Sequence, residues 1–336
     1  MKRAISLIMA LIIAFSIFTY IPFTESPFGV SALAADEFGF SYSFDEDTQS
    51  YRIIKYADSG VSELTIPSEY KGYPVSIINA ATFMGCTSLV SVTLPDTITE
   101  IGLFAFNGCT NLQSITMSKG LKLIETQAFN NCTALSSIVL PASLQEIGSN
   151  AFYGCESLTS INMPQGLKKI GLSAFGSCAN LSKIYIDDVA AWCGVRFANN
   201  ETNPLSFCTE IYINDTLTTD IVIPEGVTLI EDNAFYGAEM ITSVSIPATM
   251  QHIGADAFVG CENVTTVYTE SLASWCNVTF ENASSNPCSV SSANVDFVVG
   301  GQALTDLVIP EGVTQIKDYA FYRFRGISSI ILSEGV

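Results

Sequence analysis

Basic residues are scarce in this chain: 14 Lys and Arg stand against 33 Asp and Glu, with one histidine and two tryptophans in 336 residues. A polyanion of this strength with no basic stripe repels phosphate backbones, so nucleic acid is excluded as a partner class. A single histidine makes any Ser-His-Asp or Cys-His mechanism depend on His252, and that position aligns with Glu100, Leu123, Glu146, Lys169, Leu229 and Gln315 in an internal repeat. Such a variable position is expected to face solvent, where it offers no base to a nucleophile. The ten cysteines include no Cys-x-x-Cys pair, which removes the usual spacing of a zinc site. Neither metal nor cofactor is implied.

Long apolar runs are also missing, except at the start. Lys2 and Arg3 precede an apolar run over about 5–21, and Ala32-Leu33-Ala34 offers small residues at the cleavage positions. That is the layout of a secretory signal peptide over 1–34. Its removal leaves 12 Lys and Arg (14 − 2) and 32 Asp and Glu (33 − 1), a formal charge of −20. The mature chain is expected to carry no transmembrane segment and to be secreted, extracellular or held at the cell surface.

What the chain has in abundance is self-similarity. The stretch 135–155 reads L-S-S-I-V-L-P-A-S-L-Q-E-I-G-S-N-A-F-Y-G-C, and its skeleton recurs on both sides. Phe83, Phe106, Phe129, Phe152 and Phe175 are each 23 residues apart (106 − 83 and so on), as are Phe235 and Phe258, and the pattern returns at Phe321. This period, with aliphatics spaced Leu-x-x-Ile-x-Leu, predicts a leucine-rich-repeat solenoid of the α/β repeat class. Each coil opens with a short strand, at 92–94, 115–117, 138–140, 161–163 and 184–186. The first and third residues of each strand point inward, and the middle one points outward. Pro95, Pro141, Pro164, Pro224, Pro247 and Pro310 follow the strands and keep them short. The Ile-Gly-x-x-Ala-Phe return path has room for irregular, 3₁₀ or short helical turns. The phenylalanines are read as a stacked core.

Three regions depart from the rhythm. Residues 35–60 alternate Phe38, Phe40, Tyr42 and Phe44 with small residues, turn at Asp45-Glu46-Asp47, and alternate again over 51–56, which predicts a β-hairpin capping the open end of the solenoid. The solenoid proper spans 61–336. Within it, two longer units at about 187–223 and 270–309 resemble each other through Trp192-Cys193 and Trp275-Cys276, then Asn203-Pro204 and Asn286-Pro287. Cys86, Cys109, Cys132, Cys155, Cys178 and Cys261 hold one core position. By contrast, Cys193 with Cys208 and Cys276 with Cys288 each lie within one irregular unit, and they are the better disulfide candidates in an oxidising compartment. A further coil begins at 327–332 and stops short at Val336, so the C-terminal end is expected to be incomplete and open to self-association.

The combination of Leu-x-x-Ile-x-Leu-Pro, Ile-Gly-x-x-Ala-Phe-x-x-Cys and Ile-Pro-Glu-Gly-Val over nearly all of 60–336 resembles the BspA-like leucine-rich-repeat family of bacterial surface and secreted proteins. The resemblance implies a right-handed solenoid used for binding, in several members as an adhesin, and implies no catalytic residues. The outward strand positions are mainly small and hydroxylic, with Lys183 and Tyr185, Asn162, Tyr212 and Tyr268 as exceptions. These five are the candidate ligand-binding residues, the tyrosines serving as amphipathic anchors. The expected partner is a host extracellular-matrix or cell-surface protein, or a microbial surface protein or glycan. A structural spacer presenting a domain beyond residue 336 is the alternative from another class, and a glycan or peptide hydrolase is the weaker one.

Overall fold

A computed structural model describes residues 35–291 and 294–336; the segment 1–34, where the export signal is expected, lies outside the described residues. The chain winds as a parallel β-solenoid with two ladders of short strands. The first ladder runs through Glu63–Thr65, Ser91–Thr93, Ser114–Thr116 and Ser137–Ile138, then Ser160–Met163, Lys183–Ile186 and Glu210–Ile213. Pairing is parallel and in register within each of these two groups, which form separate sheets, so Val92 stacks on Ile115 and Ile161 on Ile184.

The second ladder is one that the sequence reading did not separate from the return path. It joins Glu100–Ile101, Leu123–Ile124, Glu146–Ile147 and Lys169–Ile170 to Arg196–Phe197, and later Leu229–Ile230, His252–Ile253 and Thr279–Phe280. His252 therefore sits in a strand and is half-buried beside Glu281, at 3.9 Å, where full solvent exposure was expected. A two-residue strand has one inward side chain, here the Ile, and too little alternation for sequence to reveal it.

The return path takes the irregular form. Ala105, Asn107 and Cys109 donate their N–H groups three residues back, to Gly102, Phe104 and Phe106, while Phe104, Phe106 and Gly108 donate to Thr126, Ala128 and Asn130 of the next coil. Half the peptides thus close turns and half tie coils together. A continuous helix would spend all of them internally. Each coil needs left-handed backbone twice, as at Asn150 (φ 54) and Gly154 (φ 72); glycine has no Cβ to clash there, and asparagine tolerates the conformation through its short polar side chain. At Gly148 a Cβ would lie 2.4 Å from the Thr126 nitrogen, so the coils approach as closely as the missing side chain allows.

Within the coils the phenylalanines stack. Centroid distances from Phe83 to Phe175 run from 4.8 to 5.4 Å with planes within 8°. Each ring is almost wholly buried and contributes about 1.5–3 kcal/mol by burial. The hairpin of β1 (Phe40–Asp45) and β2 (Ser50–Tyr56) covers the first ring: Tyr56 lies 5.2 Å and Phe40 6.3 Å from Phe83. β2 pairs in parallel with Tyr73–Ile78 and so begins the second ladder.

Candidate functional site

Two short helices, α1 (Val189–Cys193) and α2 (Leu272–Cys276), mark the longer units. In regular coils the Phe N–H donates to the Ala carbonyl of the next coil, as from Phe129 to Ala151 at 2.7 Å. The long units break this link, because the Leu205 N–H turns back to its own Asn203 Oδ1. Two side chains replace it. Trp192 Nε1 and Asn203 Nδ2 both donate to the Ala234 carbonyl, at 2.9 Å each, and Asn203 Nδ2 also reaches the Asn233 carbonyl. Trp275 and Asn286 do the same for Ala320, at 2.8 and 3.0 Å. A buried carbonyl left without a donor would be costly, which accounts for Trp and Asn in both units.

Each unit then leaves the coil as a hairpin. Thr216–Thr218 folds back on Glu210–Ile213 in antiparallel pairing, while Lys183–Ile186 holds that strand's other edge. With both edges occupied, the first ladder ends there. A new sheet starts with Asp220–Val222, Ser243–Ile246, Thr266–Thr269 and Asp296–Val299.

This division decides which candidates meet. Parallel register sets Lys183 against Glu210, and Asn162, Tyr185 and Tyr212 in one row. The Tyr185 and Tyr212 rings stack at 4.5 Å and 17°. Lys183 Nζ lies 3.4 Å from Glu210 Oε2 and 6.0 Å from the Tyr212 centroid. The Tyr212 hydroxyl donates to the same Glu210 oxygen at 2.6 Å. That hydrogen bond holds the Glu210 carboxyl below the usual carboxylate range and pushes the Tyr212 phenol up; the bond to Glu210 likewise raises Lys183. Glu210 was not among the sequence candidates, since only the strand register shows it beside Lys183. The result is a half-buried aromatic platform held in place by an ion pair.

Asn162 has a different duty. In an ordinary coil the strand-end N–H donates to the next main chain, as Leu94 does to the Thr116 carbonyl at 3.0 Å. At Leu140 the Asn162 side chain substitutes, its Oδ1 accepting from Leu140 N at 2.8 Å and its Nδ2 donating to Leu140 O at 2.9 Å. Its amide therefore mends the ladder at the edge of the platform. Tyr268 lies on the separate sheet, in a row with Ser245 and Val298.

All ten cysteines are buried free thiols, and neither expected pair is bonded. The two pairs are also not equivalent. Cys208 neighbours Cys178 in the thiol column. Cys288 occupies the place of Leu205, each following an Asn-Pro whose side chain accepts its N–H. The sequence already carries this difference, since Cys208 lies four residues after Pro204 whereas Cys288 follows Pro287 directly.

The profile of the BspA-type leucine-rich-repeat region matches six copies over residues 76–202, 207–295 and 296–336. The chain belongs to that family. Solved structures similar to this BspA-type chain include a leucine-rich repeat protein from T. pallidum, 27% identical over 69% of this chain and 91% of that one, with a TM-score of 0.46. A leucine-rich repeat protein from Bacteroides ovatus is 22% identical over 90% and 89%, with a TM-score of 0.38. The pneumococcal vaccine antigen PcpA is 15% identical over 91% and 94%, with a TM-score of 0.45. Among curated proteins, none matches. Among the described residues, no helix is long and apolar enough to cross a membrane.

Proposed function

We propose that this chain is an exported, non-enzymatic binding module that grips a host extracellular-matrix or cell-surface protein, or a microbial surface protein or glycan, through the outward face of its first ladder. The observation that carries the reading is the Tyr185–Tyr212 stack with its Lys183–Glu210 pair. A scaffold made of stacked coils needs only its inward residues. Two aromatic rings held half-exposed on the outward face bring no core packing, yet they supply rigid contact area at low entropic cost. Membership of a family with surface and secreted members supports the expected location outside the cell.

The test is a binding screen of residues 35–336 on immobilised matrix proteins and glycans. A ligand retained by the natural sequence should bind roughly tenfold or more weakly to a Tyr185→Ser, Tyr212→Ser double variant, with the melting temperature unchanged. Equal affinity of the double variant would remove this platform from the function.

A further inference from the structure

The second sheet carries a surface feature of its own. Val222, Ser245, Tyr268 and Val298 stand in one row across its four strands, with Val222 60% and Tyr268 41% exposed. They floor a shallow depression of about 370 Å³ that continues over Pro224 and Pro247. Carboxylates border it on both sides. Glu225 and Glu270 line the side toward the strand ends, and Asp220 and Asp296 stand in register two residues before Val222 and Val298.

No cation balances them within this part of the chain. Between Arg196 and Lys317 the sequence contains no Lys or Arg at all, while 15 Asp and Glu fall in the same interval. The charge of the mature chain is thus concentrated here: 15 of its 20 net negative charges belong to residues 197–316. Clefts lined by one sign of charge raise the local concentration of the opposite sign and reject the same sign.

We infer that the Tyr268 depression is a docking track for an extended, basic polypeptide segment in which apolar and cationic residues alternate. The dimensions fit such a segment. Four strands about 4.8 Å apart give a track of about 14 Å, the length of roughly four extended residues at about 3.3 Å each. Alternate side chains of an extended peptide point to opposite sides. Apolar ones would rest on Val222, Tyr268 and Val298, while the Lys or Arg between them start on the solvent side and bend their long stems over the peptide's edges to the flanking carboxylates. Anionic partners, including nucleic acid and acidic lipid surfaces, are repelled by the same field. This track is separate from the Tyr185–Tyr212 platform, so the two can fail independently.

The probe is a fluorescein-labelled peptide alternating lysine and valine, followed by anisotropy against residues 35–336. Saturable binding is expected, lost by about tenfold or more in Tyr268→Ser and weakened severalfold in a Glu225→Gln, Glu270→Gln pair, whose affinity should also depend less on salt. Tyr185→Ser should bind the peptide unchanged. Because Tyr268, Glu225 and Glu270 are exposed, unaltered melting temperatures check that the variants fold. Three results would overturn the inference: no binding of the lysine–valine peptide; equal binding of an all-lysine peptide insensitive to Tyr268→Ser, which marks diffuse ion pairing; or tighter binding of a glutamate–valine peptide.

Discussion

The repeated cysteine shows why one residue type recurs at a position that tolerates others. The carbonyl of Phe83 accepts the Cys86 N–H at 3.0 Å within its own coil and the Cys109 Sγ–H at 3.1 Å from the next. The same thiol-to-Phe contact recurs from Cys132, Cys155, Cys178 and Cys261. Each thiol gives a weak donor to the second lone pair of a buried carbonyl. Burial pushes Cys109, Cys178 and Cys261 up to about 12. The folded chain therefore keeps protons that the unfolded chain releases above the ordinary thiol value of about 8.5. Stability from this source is fully present below that value and falls as pH rises from about 8.5 toward 12. The native protein should resist thiol reagents at mildly alkaline pH and label fully once denatured. Native and denatured protein labelling at one rate would show that the thiol column is open to solvent.

At the scale of the element, the long units are held by side chains acting as peptide groups. Asn203 accepts the Leu205 N–H and donates to the Asn233 and Ala234 carbonyls, and Trp192 shares the latter. Asn203→Ala leaves these buried groups short of partners, at a cost of about 1–3 kcal/mol. Trp192→Phe keeps much of the ring packing on Phe197, now at 5.4 Å, but loses the indole N–H, so it should cost less than truncation to Ala. Hydrogen exchange should rise in Asn203→Ala around 203–205 and 233–235 and stay unchanged near Phe106 and Phe129. A uniform rise along the chain would instead mean that the coils open only as one unit.

Across the whole molecule, charge and contact are distributed unevenly. The first part of the mature chain pairs acids with bases, as Lys169 does with Glu146 at 3.2 Å, whereas residues 197–316 carry 15 acids and no Lys or Arg of their own. Nearest-neighbour coupling makes a solenoid's stability a sum of local terms, so self-repulsion should weaken that part alone. Raising ionic strength from about 0.01 to 0.15 M shortens the screening length from about 30 to about 8 Å. Exchange protection should therefore increase in coils 221–283 more than in coils 92–163. Equal gains in both would show that the acids are too far apart to repel. On the outward face, the same partition places the Tyr185–Tyr212 platform on one sheet and the Tyr268 track on another.

The coil was legible in the amino-acid sequence. A Phe every 23 residues, an Ala before it and aliphatics before both leave one solution, because each coil can bury its ring only against the next. The hairpin of β1 and β2 was legible from its alternation, although a bulge between Ser41 and Tyr42 buries Ser43 and leaves Phe44 exposed. Tyr185, Tyr212 and Lys183 were legible as outward residues, and they do meet. Tertiary structure alone decided the rest. Whether Tyr268 joins them depends on which edges of Glu210–Ile213 are occupied, and Asn162 looks like a contact residue until Leu140 is seen to lack a main-chain partner. Glu210 and the second ladder belong to the same class. Periodicity reports which way a side chain points, but hydrogen-bond supply and demand between coils is settled only when residues far apart in sequence are stacked.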